Sequence, residues 1–236
     1  MAALLAFDTA TDRLHAGLAL GDDVWLHDGE GGAGASATLI PSLRRLLSEA
    51  GIGWSDLDAI AFGRGPGAFT GLRTACAAAQ GLALGANKPV LPIDTLMAVA
   101  EDARALGGVA DVWVVMDARM DEIYAAHFLW SEAAWQTVVA PALYRLEGLH
   151  GRWHERPPRS LAGTALAAFD RRLAVAGAQV VADAQPRGRA LLACARATWA
   201  CGGATDAALA LPLYVRDRVA LKTAEREARQ LGEVPK

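Results

Sequence analysis

The opening of the chain alternates short apolar runs with tight polar turns. Residues 2–7, 14–20 and 24–26 are apolar, and the segments between them are rich in Asp, Thr and Gly. Runs of this length bounded by turn residues are typical of strands joined as hairpins. The pattern therefore predicts an antiparallel meander of three strands.

The next segment changes to helical spacing. Apolar residues recur at three- and four-residue intervals from Leu39 to Ala50, which predicts an amphipathic helix. Ser36 or Thr38 can cap its start, and Pro41 is expected in or near the first turn, where its missing N–H does no harm. Gly51 is expected to end it.

A strand-and-helix alternation follows. The apolar run 57–62 predicts a strand that enters the glycine-rich loop 63–67, and residues 70–84 predict a helix made largely of Ala and Gly. Residues 90–93 then predict a strand and residues 95–106 a helix. These elements predict an α/β fold.

The pattern of the opening is repeated after Asp111. Apolar residues 112–116, a polar turn at 117–122 and a second apolar run at 123–130 resemble the first hairpin, which indicates an internal duplication. We expect an N-terminal lobe at 1–105 and a C-terminal lobe at 106–236. Later elements are a strand end at 160–164 and helices at 189–200 and 220–231, of which the last could return to the N-terminal lobe.

The charge and the cysteine content limit the classes of protein to which this chain can belong. The formal net charge is −3, so a contact with RNA requires a local patch or another subunit. Cys76, Cys194 and Cys201 lie in Ala-rich, helix-like surroundings, which favours buried reduced thiols. The first residues lack a positive region before Asp8, and no run of about 18 apolar residues occurs, so we expect a cytoplasmic protein.

Three loops could contact phosphate. Asp8 and Thr9 follow the first strand, and Asp117 follows the corresponding strand of the second unit. Such loops can present backbone N–H groups to an anion, although for Asp8 taken alone an Asx turn that satisfies its own backbone is the favoured interpretation. The third loop is glycine-rich and contains Gly63, Gly65 and Gly67 before a helix. It matches neither a Walker A loop nor a dinucleotide fingerprint, and a purely structural role remains open.

A metal site has weak support. His150 and His154 are four residues apart, but Gly151 stands where a zinc peptidase of the HExxH type has Glu. Gly151 with Pro157 and Pro158 argues against a rigid helix, so we expect a solvated polar turn there.

The helix predicted at 70–84 has a face with almost no side-chain bulk. Such a face permits close helix packing, either inside one chain or between chains and shared with the helix at 39–50. The predicted partner interface consists of Thr38, Leu39, Leu43, Gly71, Thr74, Ala75, Ala78, Ala79 and Leu82.

The C-terminal stretch is rich in arginine. Five basic residues from Arg216 to Arg229 oppose three acidic ones. They suit a solvated helix face or a local patch for RNA or an acidic partner.

Several segments together resemble the TsaB family of bacterial tRNA threonylcarbamoyladenosine biosynthesis proteins. They are residues 7–11 (FDTAT), 63–73 (GRGPGAFTGLR), 80–83 (QGLA), 117–120 (DARM) and 214–216 (YVR). The resemblance covers residues 2 to about 125 and about 212 to 222, and it is weaker between 131 and 210.

This resemblance implies an actin-like (ribonuclease H-like) fold with two lobes of mixed sheets flanked by helices. It implies a non-catalytic relative of TsaD, the subunit that transfers a threonylcarbamoyl group to the tRNA adenosine beside the anticodon. The chain would bind a TsaD-type subunit through its first two helices, join a TsaE-type ATPase, and form a homodimer when alone. Cofactors would be absent from the isolated chain, with ATP and metal on the partner subunits.

The residues agree with a non-catalytic role. TsaD-type relatives hold a metal with a His-x-x-x-His pair in the first helix, whereas residues 35–50 contain no His. Two alternatives are an actin-like kinase that uses Asp8 and Asp117 around ATP, and a metal-dependent peptidase built on His150 and His154.

Overall fold

The computed structural model describes residues 2–216, which form two five-stranded sheets flanked by helices. The first sheet has the order β3-β2-β1-β4-β5. Its strands are β1 (Ala3–Asp8), β2 (Arg13–Leu20), β3 (Asp23–Glu30), β4 (Ala59–Gly65) and β5 (Val90–Asp94). The first three form the predicted antiparallel meander, and β4 and β5 join in parallel on the other side of β1.

The second sheet repeats this arrangement. Its order is β10-β9-β6-β7-β8, with β6, β7 and β8 antiparallel and β9 and β10 added in parallel beside β6. The strands are β6 (Asp111–Asp117), β7 (Glu122–Ser131), β8 (Ala134–Arg145), β9 (Ser160–Ala162) and β10 (Gln179–Val181). In both sheets the first strand is therefore central, as a duplicated unit predicts.

Within residues 2–216, six α-helices cover the sheets. They are α1 (Ala35–Ala50), α2 (Phe69–Ala86), α3 (Thr95–Gly107), α4 (Leu146–Glu155), α5 (Ala165–Phe169) and α6 (Gly188–Ala200). Helices α1 and α2 share a buried core with one face of the first sheet, and α6 packs on the opposite face. Helices α4 and α5 cover the outer face of the second sheet, while α3 contacts both sheets. We call the first sheet with α1, α2 and α6 the first lobe, and the second sheet with α4 and α5 the second lobe.

The boundaries of α1 differ from those predicted at one end. Gly51 ends the helix as predicted, with a left-handed φ of 70°. The start lies earlier, because Gly34 occupies the N-cap position without a side-chain cap, and Thr38 instead donates a hydrogen bond to the Gly34 carbonyl. Pro41 therefore lies inside the helix and not in its first turn.

Helix α6 approaches the first sheet closely at a glycine. A Cβ on Gly188 would lie 2.2 Å from the Ala16 carbonyl oxygen, and one on Gly17 would lie 2.8 Å from Leu192. The helix comes from the region 106–236 but belongs to the first lobe. The division of the chain at residue 105 stays a prediction.

Several elements were not predicted. Strand β8, helices α4 and α5, and strand β10 fall in the segment where the sequence signal is weak. His150 and His154 lie on α4, so the expected polar turn was wrong. The helix predicted at 220–231 lies outside the described residues. Within residues 2–216, every helix is too short or too polar to cross a bilayer.

Candidate functional site

The Asp8 carboxylate is enclosed in the protein and accepts one hydrogen bond at each oxygen. Asp8 is the last residue of β1, and its exposed fraction is 0%. Oδ1 accepts a hydrogen bond from the Ala10 N–H at 2.6 Å, and Oδ2 accepts one from the Thr95 hydroxyl at 2.6 Å. Burial raises the pKa of the Asp8 carboxyl, and the hydrogen bonds from Thr95 and Ala10 oppose that rise. The contact with Ala10 is the Asx turn that the sequence left open.

The glycine-rich loop packs directly on this turn. A Cβ on Gly63 would lie 1.7 Å from Asp8 Oδ2, and one on Gly67 would lie 2.5 Å from the Ala10 carbonyl oxygen. The Gly65 N–H donates to the Thr95 hydroxyl at 3.1 Å. Glycine is required here because two backbone segments and a carboxylate share one small space. The loop therefore stabilises the Asp8 turn.

Thr9 fastens the same turn to α2. Its hydroxyl donates to the Gly71 carbonyl at 2.8 Å, and a Cβ on Gly71 would lie only 1.9 Å from the Thr9 carbonyl oxygen. Thr9 is fully buried. Its hydroxyl consequently holds the N-terminal part of α2 against β1.

Asp117 occupies the equivalent place in the second lobe but has a different environment. Its carboxylate accepts from the Arg119 N–H at 2.8 Å and forms an ion pair with the Arg119 guanidinium at 3.0 Å. Its own N–H donates to the Thr164 hydroxyl at 3.2 Å. Asp117 lines the cleft between the lobes, whereas Asp8 does not. The two carboxylates that a kinase would place around ATP are therefore not both presented to one cleft.

The cleft between the lobes has a volume of about 670 Å³. The C-terminal segment, residues 211–216, crosses it. The Leu213 N–H donates to the Arg64 carbonyl in the first lobe at 2.7 Å. Arg216 donates to the Ala118 carbonyl and forms an ion pair with Glu122 in the second lobe, each at 2.8 Å. Local sequence patterns did not reveal the contacts of Arg216 and Thr95, because their partners are distant in the chain.

A second depression lies between α1 and α2 on the outside of the first lobe. Its volume is about 630 Å³, and its lining includes Ile40, Thr74, Ala77 and Ala78. Further along α2, Leu84 is 79% exposed. Positions 81 and 85 of α2 are glycines with open space where a Cβ would point. We call this surface the α1–α2 face; it consists of Ile40, Thr74, Ala77, Ala78, Gly81, Leu84 and Gly85. It is accessible, largely apolar and made mostly of small residues.

The structure divides the predicted interface residues into a buried group and an accessible group. Five of them are buried in the chain's own core: Leu39, Leu43, Gly71, Ala75 and Ala79. The others, Thr38, Thr74, Ala78 and Leu82, are exposed or half-buried. The small-residue pattern of α2 therefore has two uses, since one side packs on the first sheet and another side forms the open α1–α2 face.

The remaining candidate groups do not form a metal centre. Within residues 2–216, no three His, Cys, Asp or Glu side chains are grouped as ligands for one ion. His150 and His154 are both exposed on α4. Cys76 and Cys194 are buried as predicted, and burial raises the pKa of both thiols, but Cys201 is exposed, contrary to expectation.

Comparison with known proteins agrees with this architecture. The family model of TsaD, tRNA N6-adenosine threonylcarbamoyltransferase, matches residues 34–225. The Escherichia coli (strain K12) protein named tRNA threonylcarbamoyladenosine biosynthesis protein TsaB is 34% identical over 158 residues, which are 64% of this chain and 68% of that one. A Haemophilus influenzae protein of the same name is 46% identical over 86 residues, 36% of each chain.

Solved structures extend the similarity to nearly the whole chain. YeaZ from Pseudomonas aeruginosa is 34% identical with a TM-score of 0.82, covering 91% of this chain and all of that one. A second Pseudomonas aeruginosa structure, described by its similarity to peptidase YeaZ, has a TM-score of 0.84 at 34% identity. The predicted actin-like, two-lobed α/β fold is confirmed, and the chain belongs to the TsaB family.

Proposed function

We propose that this chain is a non-catalytic partner subunit that binds and supports a TsaD-type transferase. In this role it takes part in threonylcarbamoylation of the tRNA adenosine beside the anticodon. Membership of the TsaB family supports the pathway, since the relatives from two bacteria carry names from threonylcarbamoyladenosine biosynthesis.

The observation that carries the proposal is the open α1–α2 face. Ala77, Ala78 and Gly81 allow a partner helix to approach the backbone of α2 closely, as small residues do in tight helix pairs. Leu84, 79% exposed, would lose its contact with water in such a complex. A face with these properties is better suited to a protein partner than to bulk solvent.

The enclosed state of Asp8 supports a non-catalytic role. A carboxylate that holds a metal or a phosphate-bound water must reach the ligand, and both oxygens of Asp8 already accept hydrogen bonds inside the protein. ATP and metal are accordingly assigned to the partner subunits, including a TsaE-type ATPase. In the absence of its partner, the chain would pair with a second copy through the same α1–α2 face.

The test is light scattering behind a sizing column for this chain, its TsaD-type partner and their mixture. The expected result is a heterodimer in the mixture that replaces a homodimer of this chain. Ala77→Arg should abolish both pairings, because a guanidinium would project into the α1–α2 face. The buried Ala75 is unsuitable for this test, since Arg there would disrupt the core.

A matched control is Ala197→Arg, which makes the same change at an exposed position of α6. This variant should pair normally, and both variants should retain the circular dichroism spectrum and unfolding midpoint of the parent. Normal pairing by Ala77→Arg would contradict the proposed interface.

A further inference from the structure

The segment 145–172, on the outer side of the second lobe, carries an excess of arginine, and two of its arginines are paired with acidic residues of other segments, Asp111 and Asp121. Between residues 145 and 172 there are six arginines and three acidic residues, a formal charge of +3. Because the whole chain carries −3, the remainder carries −6. We call this set the arginine layer: Arg145, Arg152, Arg156, Arg159, Arg171 and Arg172.

The fold turns these side chains toward solvent. Leu149 and Trp153 on α4, with Phe169 and Leu173, are buried against the outer face of the second sheet. The opposite faces of the same elements must therefore point outward. All six arginines are exposed.

The layer extends along the length of the sheet. Arg145 is in register with Glu122 at the hairpin end of β7, and Arg159 lies 3.8 Å from Asp111 at the start of β6. The seven residues of β6 between these points correspond to roughly 20 Å. The row is thus long enough to contact several consecutive charges of an extended polyanion.

The short 3-10 helix Asp170–Leu173 lies beside the start of α4. Arg172 forms an ion pair with Asp121 at 2.8 Å, which raises the pKa of the guanidinium, and the carboxylate of Glu147 on α4 acts in the same direction. Leu173 of the same 3-10 helix shares a buried core with Leu149 of α4.

Four of the six arginines have no acidic partner in the described part of the chain. Within residues 2–216, Arg145, Arg152, Arg156 and Arg171 form no ion pair. Guanidinium groups in this state remain free to bind oxyanions, and their planar fork suits phosphate.

The surroundings favour a nucleic acid over a protein or a membrane. Protein interfaces have an apolar core, and membrane-binding surfaces insert apolar side chains. In the described chain, the exposed large hydrophobic side chains all lie outside residues 145–172. A row of arginines without such a core matches the phosphate backbone of RNA, whose binding is dominated by charge.

We infer that the arginine layer is an RNA-binding surface that contacts the phosphate backbone. The identification of this RNA as tRNA rests on the proposed function, whereas the phosphate contact rests on the layer itself. It supplies the local patch that a chain of net negative charge needs for such a contact.

The test measures binding of unmodified tRNA to the chain mixed with its TsaD-type partner, at several salt concentrations. Arg152→Gln with Arg156→Gln should weaken binding several-fold at low salt. It should also reduce the slope of log affinity against log salt by about 1 to 2, as expected for two lost phosphate contacts. The matched control, Arg13→Gln with Arg189→Gln, removes equal charge from exposed positions of the first lobe and should change neither quantity.

Three outcomes would overturn the inference: no tRNA binding that depends on the presence of this chain, an unchanged salt slope in the arginine-layer variant, or an equal loss in the control. Pairing measured on the sizing column separates this inference from the proposed function. If the arginine-layer variant pairs normally but binds tRNA like the parent, the RNA surface alone is rejected. If this variant loses the partner protein, the layer is part of a protein interface and the inference is also rejected.

Discussion

Two glycines on α2 look equivalent in the sequence but have opposite surroundings. Gly71 is pressed against the Asp8–Thr9 turn, where an added Cβ would lie 1.9 Å from a backbone oxygen. Gly81, ten residues later on the same helix, has open space at that position. Gly71 is thus required by packing, while Gly81 leaves room on the α1–α2 face.

Alanine at each of these positions should change stability in opposite directions. Gly71→Ala is expected to lower the free energy of unfolding by about 3 kcal/mol, because backbone must move to relieve the clash. Gly81→Ala is expected to raise it by about 0.5 to 1 kcal/mol, because Ala restricts the unfolded chain and favours the helix. Urea unfolding followed by circular dichroism measures both; equal effects would contradict the contact between α2 and Thr9.

At the scale of elements, the local pattern predicted the first lobe well, since its strands and helices have clear periodicity. Strand β8 was missed because half of its side chains are exposed, the others are only half-buried, and the two kinds do not alternate. Helix α4 was missed because Gly148 and Gly151 lower its propensity, and burial of Leu149 and Trp153 compensates.

The site was only partly predictable for a related reason. Helical periodicity identifies an apolar face but cannot tell whether the chain's own sheet or another protein covers it. The burial of Ala75 and the exposure of Ala77 follow from the orientation of α2 on the sheet. The enclosure of Asp8 likewise depends on Gly63, which is distant in sequence.

Residues 211–216 connect β4 of the first lobe with β7 of the second lobe, two strands that are not consecutive in the chain. This segment is held at Arg64 on β4 and, through Arg216, at Glu122 on β7. The Arg216 and Glu122 side chains are 15% and 21% exposed, so water screens their attraction only partly.

A double-mutant cycle tests this connection. Arg216→Gln and Glu122→Gln, singly and together, should give a coupling energy of about 1 to 2 kcal/mol in unfolding measurements. The exposed pair Arg45 and Glu49 on α1 is the control and should couple by about 0.3 to 0.5 kcal/mol. A coupling for Arg216 no larger than the control would show that the ion pair with Glu122 does not hold the segment.

At the scale of the whole molecule, α6 makes the stability of the first lobe depend on a late part of the chain. Leu191 on α6 is fully buried in the same core as Leu4 and Leu91 of the first sheet. Leu149 on α4 is equally buried, but in the outer core of the second lobe.

Leu191→Ala should therefore loosen strands that are far away in sequence. We expect a loss of about 2 to 4 kcal/mol for this change and for Leu149→Ala, since each leaves a cavity. Hydrogen exchange should rise in β1 and β2 for Leu191→Ala, and in β6 and β7 for Leu149→Ala. The same exchange pattern for both variants would contradict the assignment of α6 to the first lobe.

The position of α6 also has a consequence for synthesis on the ribosome. Strand β5 ends at Asp94, but the helix that covers this face of the sheet begins about 90 residues later, at Gly188. At bacterial translation rates this interval is roughly 5 to 20 s. During that time the nascent first sheet presents Leu4, Ala6 and Leu91 without their final cover. We therefore expect chaperones to bind the early half of the chain during this interval, because one face of its sheet still lacks the cover that α6 provides.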